Sequence, residues 1–509
     1  MTVRRTSTLV NIVAMLVYTV VRRFLGLIGM ASLARMLSPG DLGAYAFTQT
    51  TGQTFVGLFR FGALQGLHVS LGRRMADDDA DDAGALIGGG IMIVSTIAIL
   101  GSAAMVLLAD PIARDLFGAP DLAPYVTASA ACFTGQFLSR AAYVGFAGLG
   151  RFVDYTYWST AIGIATVAAT ILGAVLYGVQ GAVWGFAGTT LAGVPIFVLG
   201  LLRALKRVEL RIRWQLSLGH LKEIFSIGLP FYGAGVFMIL AGFVAQGAVS
   251  RFGSVQELAD LRIVLTLMAV VQMIPQSISG PIISLFAERE GRETGSGSVS
   301  AFEHMRWLWI FALITSTVLA AIWPLTVLVV FGTGYPQAAQ IGQLAIAAFI
   351  PTIVGTALSA GILVGGRTLP LLVVGALQGA AMSGVALTLV PAIGLTGFFA
   401  AQAAASTTAA VLWLLALGWL TRNAPLRPWM GPLLAATLVL CAGLILDARI
   451  DETPLQRILV AAGVVPAMIL WVAFTALSGA DRRMLRGRAR HEAGKLQSWL
   501  RMRKGAERT

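Results

Sequence analysis

Charge is what this chain has least of. Only 12% of its 509 residues are Asp, Glu, Lys or Arg, against about 25% in an ordinary soluble domain. That is too little to cover a soluble surface at this length. Cysteine is scarce as well. Cys132 and Cys441 stand singly in apolar runs, which excludes a disulfide framework and a cysteine metal site. The four histidines, His68, His220, His304 and His491, show neither metal-ligand spacing nor a catalytic context. No cofactor motif is present, and no loop is long enough for an enzyme's catalytic groups, so the reading is not an enzyme. Acidic residues are missing from the middle of the first twelve apolar runs. Asp41, Asp110, Asp154, Glu223, Glu257 and Asp260 all fall at run ends.

What the chain does have is apolar length and glycine. It is 57% hydrophobic with 58 glycines, and small residues let membrane helices approach closely. The fold class that follows is all-α: a polytopic membrane protein with about fourteen spans of about 20 residues each. The expected spans are 8–32, 42–70, 85–109, 123–147, 156–178, 181–202, 221–249, 258–286, 305–331, 338–363, 370–391, 395–420, 431–447 and 455–477. The opening MTVRR imitates a signal peptide, but no small-residue cleavage site follows, so it reads as an uncleaved first helix. The net charge of +13 is not a nucleic-acid footprint, because its basic residues lie in short loops and the C-terminal tail. Most of the Lys and Arg collect on one side, which places both termini in the cytoplasm.

The chain repeats itself. Arg35-x-x-Ser38-x-x-Asp41-Leu42 recurs as Arg251-x-x-Ser254-x-x-Glu257-Leu258, 216 residues later. Phe117-Gly118 recurs as Phe331-Gly332, Gly150-Arg151 as Gly366-Arg367, and Gly181 as Gly394. Six spans per copy is an even number, so the copies share one orientation, a parallel repeat. The expected organisation is an N-lobe over 1–202, a linker over 203–222, a C-lobe over 223–420, two further helices over 421–477 and a basic tail over 478–509. The tail reads as a helix lying on anionic lipid. Arg35 and Asp41 read as loop structure, with Asp41 capping the second helix, rather than as a gate.

The first span carries Arg22 and Arg23 mid-way along its apolar run. Neither side of the pair is long enough to cross alone, so a helix that spans here holds both arginines in the membrane. A membrane cation costs at least about 2.5 kcal/mol on insertion scales and marks a functional site by default. At about 100° per residue Tyr18 and Arg22 share a stripe in the first span, and Gln49, Gln53 and Arg60 share one in the second. Gln136 and Arg140 do so in the fourth, while the eighth supplies Arg262, Thr266 and Gln276. These faces suit a wet cavity, with guanidinium for phosphate and amide or aromatic groups for sugar. Arg60 and Arg140 are also placed to snorkel to an interface, and Arg262 to sit at a rim. Tyr155, Tyr157 and Trp158 suit either sugar stacking or an interfacial belt.

Asn11, the stretch LARMLSPGDLGAYAF at Leu33–Phe47, and FRFGALQGL in the second span resemble bacterial Wzx-type polysaccharide flippases. Those are members of the multidrug/oligosaccharidyl-lipid/polysaccharide exporter superfamily. The resemblance implies transport of an undecaprenyl-pyrophosphate-linked oligosaccharide across the bacterial inner membrane by alternating access. It implies surrounding lipids and polysaccharide polymerase or export machinery as further partners. It also implies a cationic central cavity, as in the related lipid II flippase, with arginines in spans one, two and eight. Arg22 or Arg23, Arg60 and Arg262 lie in the matching spans. The rivals are a cation-coupled drug exporter of the same fold, which needs a membrane carboxylate, and a membrane enzyme acting on lipid-linked sugars.

Overall fold

A chain crossing hydrocarbon must satisfy its own backbone groups, and helices do so locally. The computed structural model describes residues 8–76, 80–149, 151–207, 210–215, 217–273, 296–364, 369–421, 430–447 and 471, and every long element among them is a helix. In order these are α1 (Thr8–Met36), α2 (Pro39–Leu58), α3 (Ala63–Ala76), α4 (Ala80–Leu107) and α5 (Ala123–Gly148). They continue as α6 (Phe152–Arg207), α7 (Leu218–Phe252), α8 (Val255–Val271), α9 (Ser296–Phe331) and α10 (Pro336–Val364). The last are α11 (Leu369–Ile393), α12 (Leu395–Thr421) and α13 (Met430–Asp447). Of the expected fourteenth span only Trp471 is described, and the basic tail lies outside the described residues.

Eight of these helices are long and apolar enough to cross a membrane by length and composition. The chain is a multi-pass membrane protein. α2 and α5 fall short of that standard because they carry polar faces: Thr48, Gln49, Thr51, Gln53 and Thr54 on one, Ser129, Thr134, Gln136 and Arg140 on the other. Polar faces at membrane depth turn inward. Ser129 is fully buried and donates to the Thr48 carbonyl at 3.0 Å, which seats α5 against α2. Leucine, valine and isoleucine supply the opposite faces, as at Ile99, Leu172, Leu199 and Leu438, all exposed where lipid would lie.

One expected span differs. The second is not one helix: it breaks between α2 and α3 at Phe59–Gly62, where Phe61 has φ +43° and Gly62 φ +72°. The fifth and sixth expected spans are both present, as two helices joined within α6 by a turn at Tyr177 and Gly178. Gly178 takes φ +61°, a left-handed value that glycine adopts without a Cβ penalty.

The repeat is carried by backbone conformation as well as by residues. Ser38 and Ser254 each cap the following helix, accepting from Asp41 N and Glu257 N at 3.2 Å. Ser38 is thus the capping residue of α2, and Asp41, expected in that place, accepts from the Ser38 hydroxyl at 2.6 Å. Gly118 and Gly332 take φ +65° and +94°. Gly178 and Gly394 take φ +61° and +56°. The true counterpart of Gly394 is therefore Gly178, not Gly181. Gly181 serves a different need: a Cβ there would meet the Gly173 carbonyl at 2.0 Å, across the fold of α6.

The two halves, α1–α6 and α7–α12, touch at both membrane faces. On the side rich in Lys and Arg, α3 lies on the first turns of α7. A Cβ on Gly66 would meet the Ile224 carbonyl at 1.9 Å, and one on Gly62 the Gly228 carbonyl at 2.0 Å. Tyr232 donates to the Leu58 carbonyl at 2.6 Å. Arg74 pairs with Glu223 at 2.9 Å and also with Asp82, which meets His220 Nε2 at 2.8 Å. On the far side, a Cβ on Gly43 would meet the Val255 carbonyl at 2.0 Å, and Tyr335 donates to the Ala34 carbonyl at 3.0 Å.

Candidate functional site

Between those contacts is a cavity of about 500 Å³. It lies mainly within the first half, walled by α1, α2, α5 and α6, and α8 of the second half closes one side. Four of the five walls contribute polar residues expected of them, Arg23 from beside its helix's polar stripe. α1 brings Tyr18, Arg22 and Arg23; α2 brings Gln49 and Gln53; α5 brings Gln136 and Arg140; α8 brings Arg262 and Thr266. Among the described lining residues four are arginine and none is Asp or Glu.

Arg22 and Arg262 each donate to a neutral group. Arg22 donates to the Tyr18 hydroxyl at 3.0 Å, and its guanidinium lies 5.9 Å from the centre of that ring. The Tyr18 and Tyr155 hydroxyls are 3.4 Å apart. Arg262 donates to Gln49 Oε1 at 2.6 Å, and Gln49 Nε2 donates to the Tyr45 hydroxyl at 2.7 Å. The Gln136 amide nitrogen and Arg262 Nε are buried with no hydrogen-bond partner. Arg140 feels the positive charges of Arg60 and Arg22. Like charges gathered in one cavity repel, and more strongly as the surrounding dielectric falls. A site with several such charges and spare donors is chemically ready for a multivalent anion, which removes the repulsion and takes the hydrogen bonds.

One expected residue is not brought here. Arg60 sits in the break between α2 and α3 and does not line the cavity. Gln276 lies outside the described residues. The sequence reading, in turn, underused α6. Tyr155 is neither exposed nor part of a belt: it is buried, lines the cavity and packs on Tyr18, Tyr143 and Phe197. Tyr157 is the one that faces outward, 67% exposed. Ser159, Thr166 and Thr170 continue the Tyr155 stripe along the cavity wall. Their helical spacing is visible in the sequence, but hydroxyls also satisfy their own helix, as Thr166 does to the Ile162 carbonyl at 2.8 Å, so the stripe looks unremarkable alone.

The family model described as "Polysaccharide biosynthesis protein" matches residues 32–340, more than half of the chain. The chain belongs to the polysaccharide biosynthesis protein family. A sequence search of curated proteins finds no match. Among solved structures this family member is similar to the lipid II flippase MurJ in an inward closed conformation, with TM-score 0.68 and 13% identity over 90% of this chain and 98% of that one. It is similar to an inward-facing multidrug resistance MATE transporter of the MOP superfamily, with TM-score 0.67 and 14% identity over 81% of this chain and all of that one. It is also similar to a MOP superfamily transporter from Pyrococcus furiosus, described as having reverse polarity of its binding pocket, with TM-score 0.55 and 13% identity over 81% of this chain and 96% of that one. At these identities the likeness is one of fold. The fold of this family member is the polytopic helical fold of those transporters.

Proposed function

We propose that the chain is a flippase for an undecaprenyl-pyrophosphate-linked oligosaccharide, serving polysaccharide biosynthesis in the bacterial inner membrane. The observation that carries the reading is the cavity lined by Arg22, Arg23, Arg140 and Arg262, with no carboxylate among the described lining residues. A pyrophosphate head supplies the missing negative charge. The sugar hydroxyls meet Gln49, Gln53 and Gln136, and the polyprenyl tail stays in lipid, where its transfer costs nothing. The head cannot cross hydrocarbon unaided. Rocking of the two halves moves it from the Lys- and Arg-rich side, taken as cytoplasmic, to the far side. The same positive lining argues against a cation-coupled drug exporter, since a cationic drug would be repelled. The role is transport, with the membrane lipids and a polymerase or export machinery as the further partners.

The test is a deletion strain assayed for lipid-linked oligosaccharide. The expected result is accumulation of the intermediate on the cytoplasmic leaflet, restored to normal by the wild-type gene and not by Arg22→Ala. Normal leaflet distribution in the deletion strain would end the assignment. In reconstituted vesicles, flipping of the purified lipid-linked sugar should require the protein.

A further inference from the structure

The two copies of Arg-x-x-Ser-x-x-Asp/Glu contain a residue that helix capping leaves unexplained. Ser38 and Ser254 do the capping, and each acid supplies the backbone N–H they accept. The arginine at the start of each copy reaches away from its own half. Arg35, in the last turn of α1, donates through Nε to the Val330 carbonyl at 3.1 Å and through Nη2 to the Val329 carbonyl. Those carbonyls end α9, which is in the other half. Arg251, in the last turn of α7, donates to the Asp115 carbonyl, at the end of the π-turn Ile112–Leu116 that follows α4 in the first half.

These two contacts are images of one another. Arg251 is the repeat counterpart of Arg35, and Asp115 stands three residues before Gly118 as Val329 stands three before Gly332. Each half thus sends one guanidinium from the end of its first helix to the carbonyl end of a helical run of its opposite, Arg35 to α9 and Arg251 to the π-turn after α4. The last carbonyls of a helical run lack intrahelical partners and carry partial negative charge, so a cation is attracted there. Arginine's planar fork can serve two such carbonyls together, as Arg35 does.

We propose that Arg35 and Arg251 are a paired latch that holds the cavity shut on the far side of the membrane. Both contacts cross the lobe interface and must break when the far ends of the halves separate. The buried Tyr335 bond to the Ala34 carbonyl lies alongside and breaks with them. No carboxylate takes part, so the latch closes and opens without stranding a counter-charge. When it opens, each guanidinium is already exposed to water and is hydrated in place. The inference rests on the alternating access proposed above, but its readout needs no cargo.

The experiment uses the full chain in native membranes, in a cysteine-free background made by Cys132→Ala and Cys441→Ala. Met30→Cys is the reporter, because Met30 is buried, lines the cavity and lies one turn inside Arg35. Gly40→Cys, whose side chain would meet nothing within 4 Å, marks the far face. A membrane-impermeant maleimide is applied to each face in turn. Arg35→Ala and Arg251→Ala should each speed labelling from the far face by about tenfold, as loss of one charged hydrogen-bond set implies. Arg35→Lys, which keeps a charged donor, should speed it less. Unchanged far-face labelling in both variants overturns the latch. So does an effect confined to one arginine, or equal gains from both faces, which would mark general loosening. Loss of flipping with any of these labelling patterns bears on the cargo and leaves this outcome readable.

Discussion

The cavity arginines pay for each other's presence. Arg22, Arg140 and Arg262 line one cavity whose described lining holds no Asp or Glu, and Arg262 donates to the neutral Gln49. Two outcomes follow for Arg22→Ala and Arg262→Ala. Transport of the lipid-linked sugar should fall about ten- to a hundredfold for each, the value of one charge-assisted contact to phosphate. The midpoint of thermal unfolding in detergent should not fall, because the substitution removes a repulsion that the fold otherwise carries. A large drop in midpoint with unchanged transport would show these arginines to be structural. Inorganic pyrophosphate should raise the midpoint of the wild-type protein by mass action, since it occupies the folded cavity alone. It should raise that of Arg262→Ala less. An equal rise in both would place the anion elsewhere.

At the scale of elements, the decisive feature is the interruption of the second span. α2 presents Gln49 and Gln53 to the cavity, while α3 lies against α7 through Gly62 and Gly66. The four-residue break lets the two segments follow different partners. Phe61, with φ +43°, is held there between Phe59 and Tyr232, whose rings lie 5.8 and 5.5 Å away. Gly66→Ala puts a Cβ 1.9 Å from the Ile224 carbonyl, so α3 must move off α7. Overpacking of this kind costs about 1–3 kcal/mol. The expected outcome is a lower unfolding midpoint and faster labelling of Met30→Cys from the Lys- and Arg-rich face. Gly188→Ala, where a Cβ meets nothing within 4 Å, is the control and should change neither. If the two variants behave alike, α3 does not close that face.

At the scale of the whole molecule, the halves are joined differently at the two faces. The far face uses arginines on helix ends; the other uses a carboxylate network in which Arg74 bridges Asp82 of its own half and Glu223 of the other. Those side chains keep about a quarter of their surface exposed, 27% and 22% for Arg74 and Glu223. Water screens such a pair, and its worth is about 0.2–1 kcal/mol. Glu223→Gln should therefore leave the unfolding midpoint nearly unchanged. It should raise labelling of the cavity cysteine from the Lys- and Arg-rich face by about two- to fivefold, with none of the far-face gain expected of Arg35→Ala. High salt should reproduce the effect in the wild-type protein. A gain at the far face instead would mean the two closures are not separate.

Much of this was legible in one dimension, because membrane insertion is a local rule. Scarce charge, apolar runs of spanning length and a 216-residue echo of Arg35-Ser38-Asp41 in Arg251-Ser254-Glu257 specify a helical two-part membrane protein by themselves. That Arg22 and Arg23 lie at membrane depth follows for the same reason, since no apolar stretch beside them is long enough to leave them outside. Contacts across the interface were not legible. That Arg60 falls in a break instead of the cavity depends on where Gly62 meets Gly228, two residues far apart in the chain. That Tyr155 enters the cavity while Tyr157 faces out depends on how α6 folds back at Gly178. That Arg35 reaches the end of α9 rather than its own loop depends on the docking of one half on the other. Helix formation and burial depth are set by neighbours in sequence, whereas the partner of a long side chain is set by packing of helices hundreds of residues apart, and only the tertiary structure decides it.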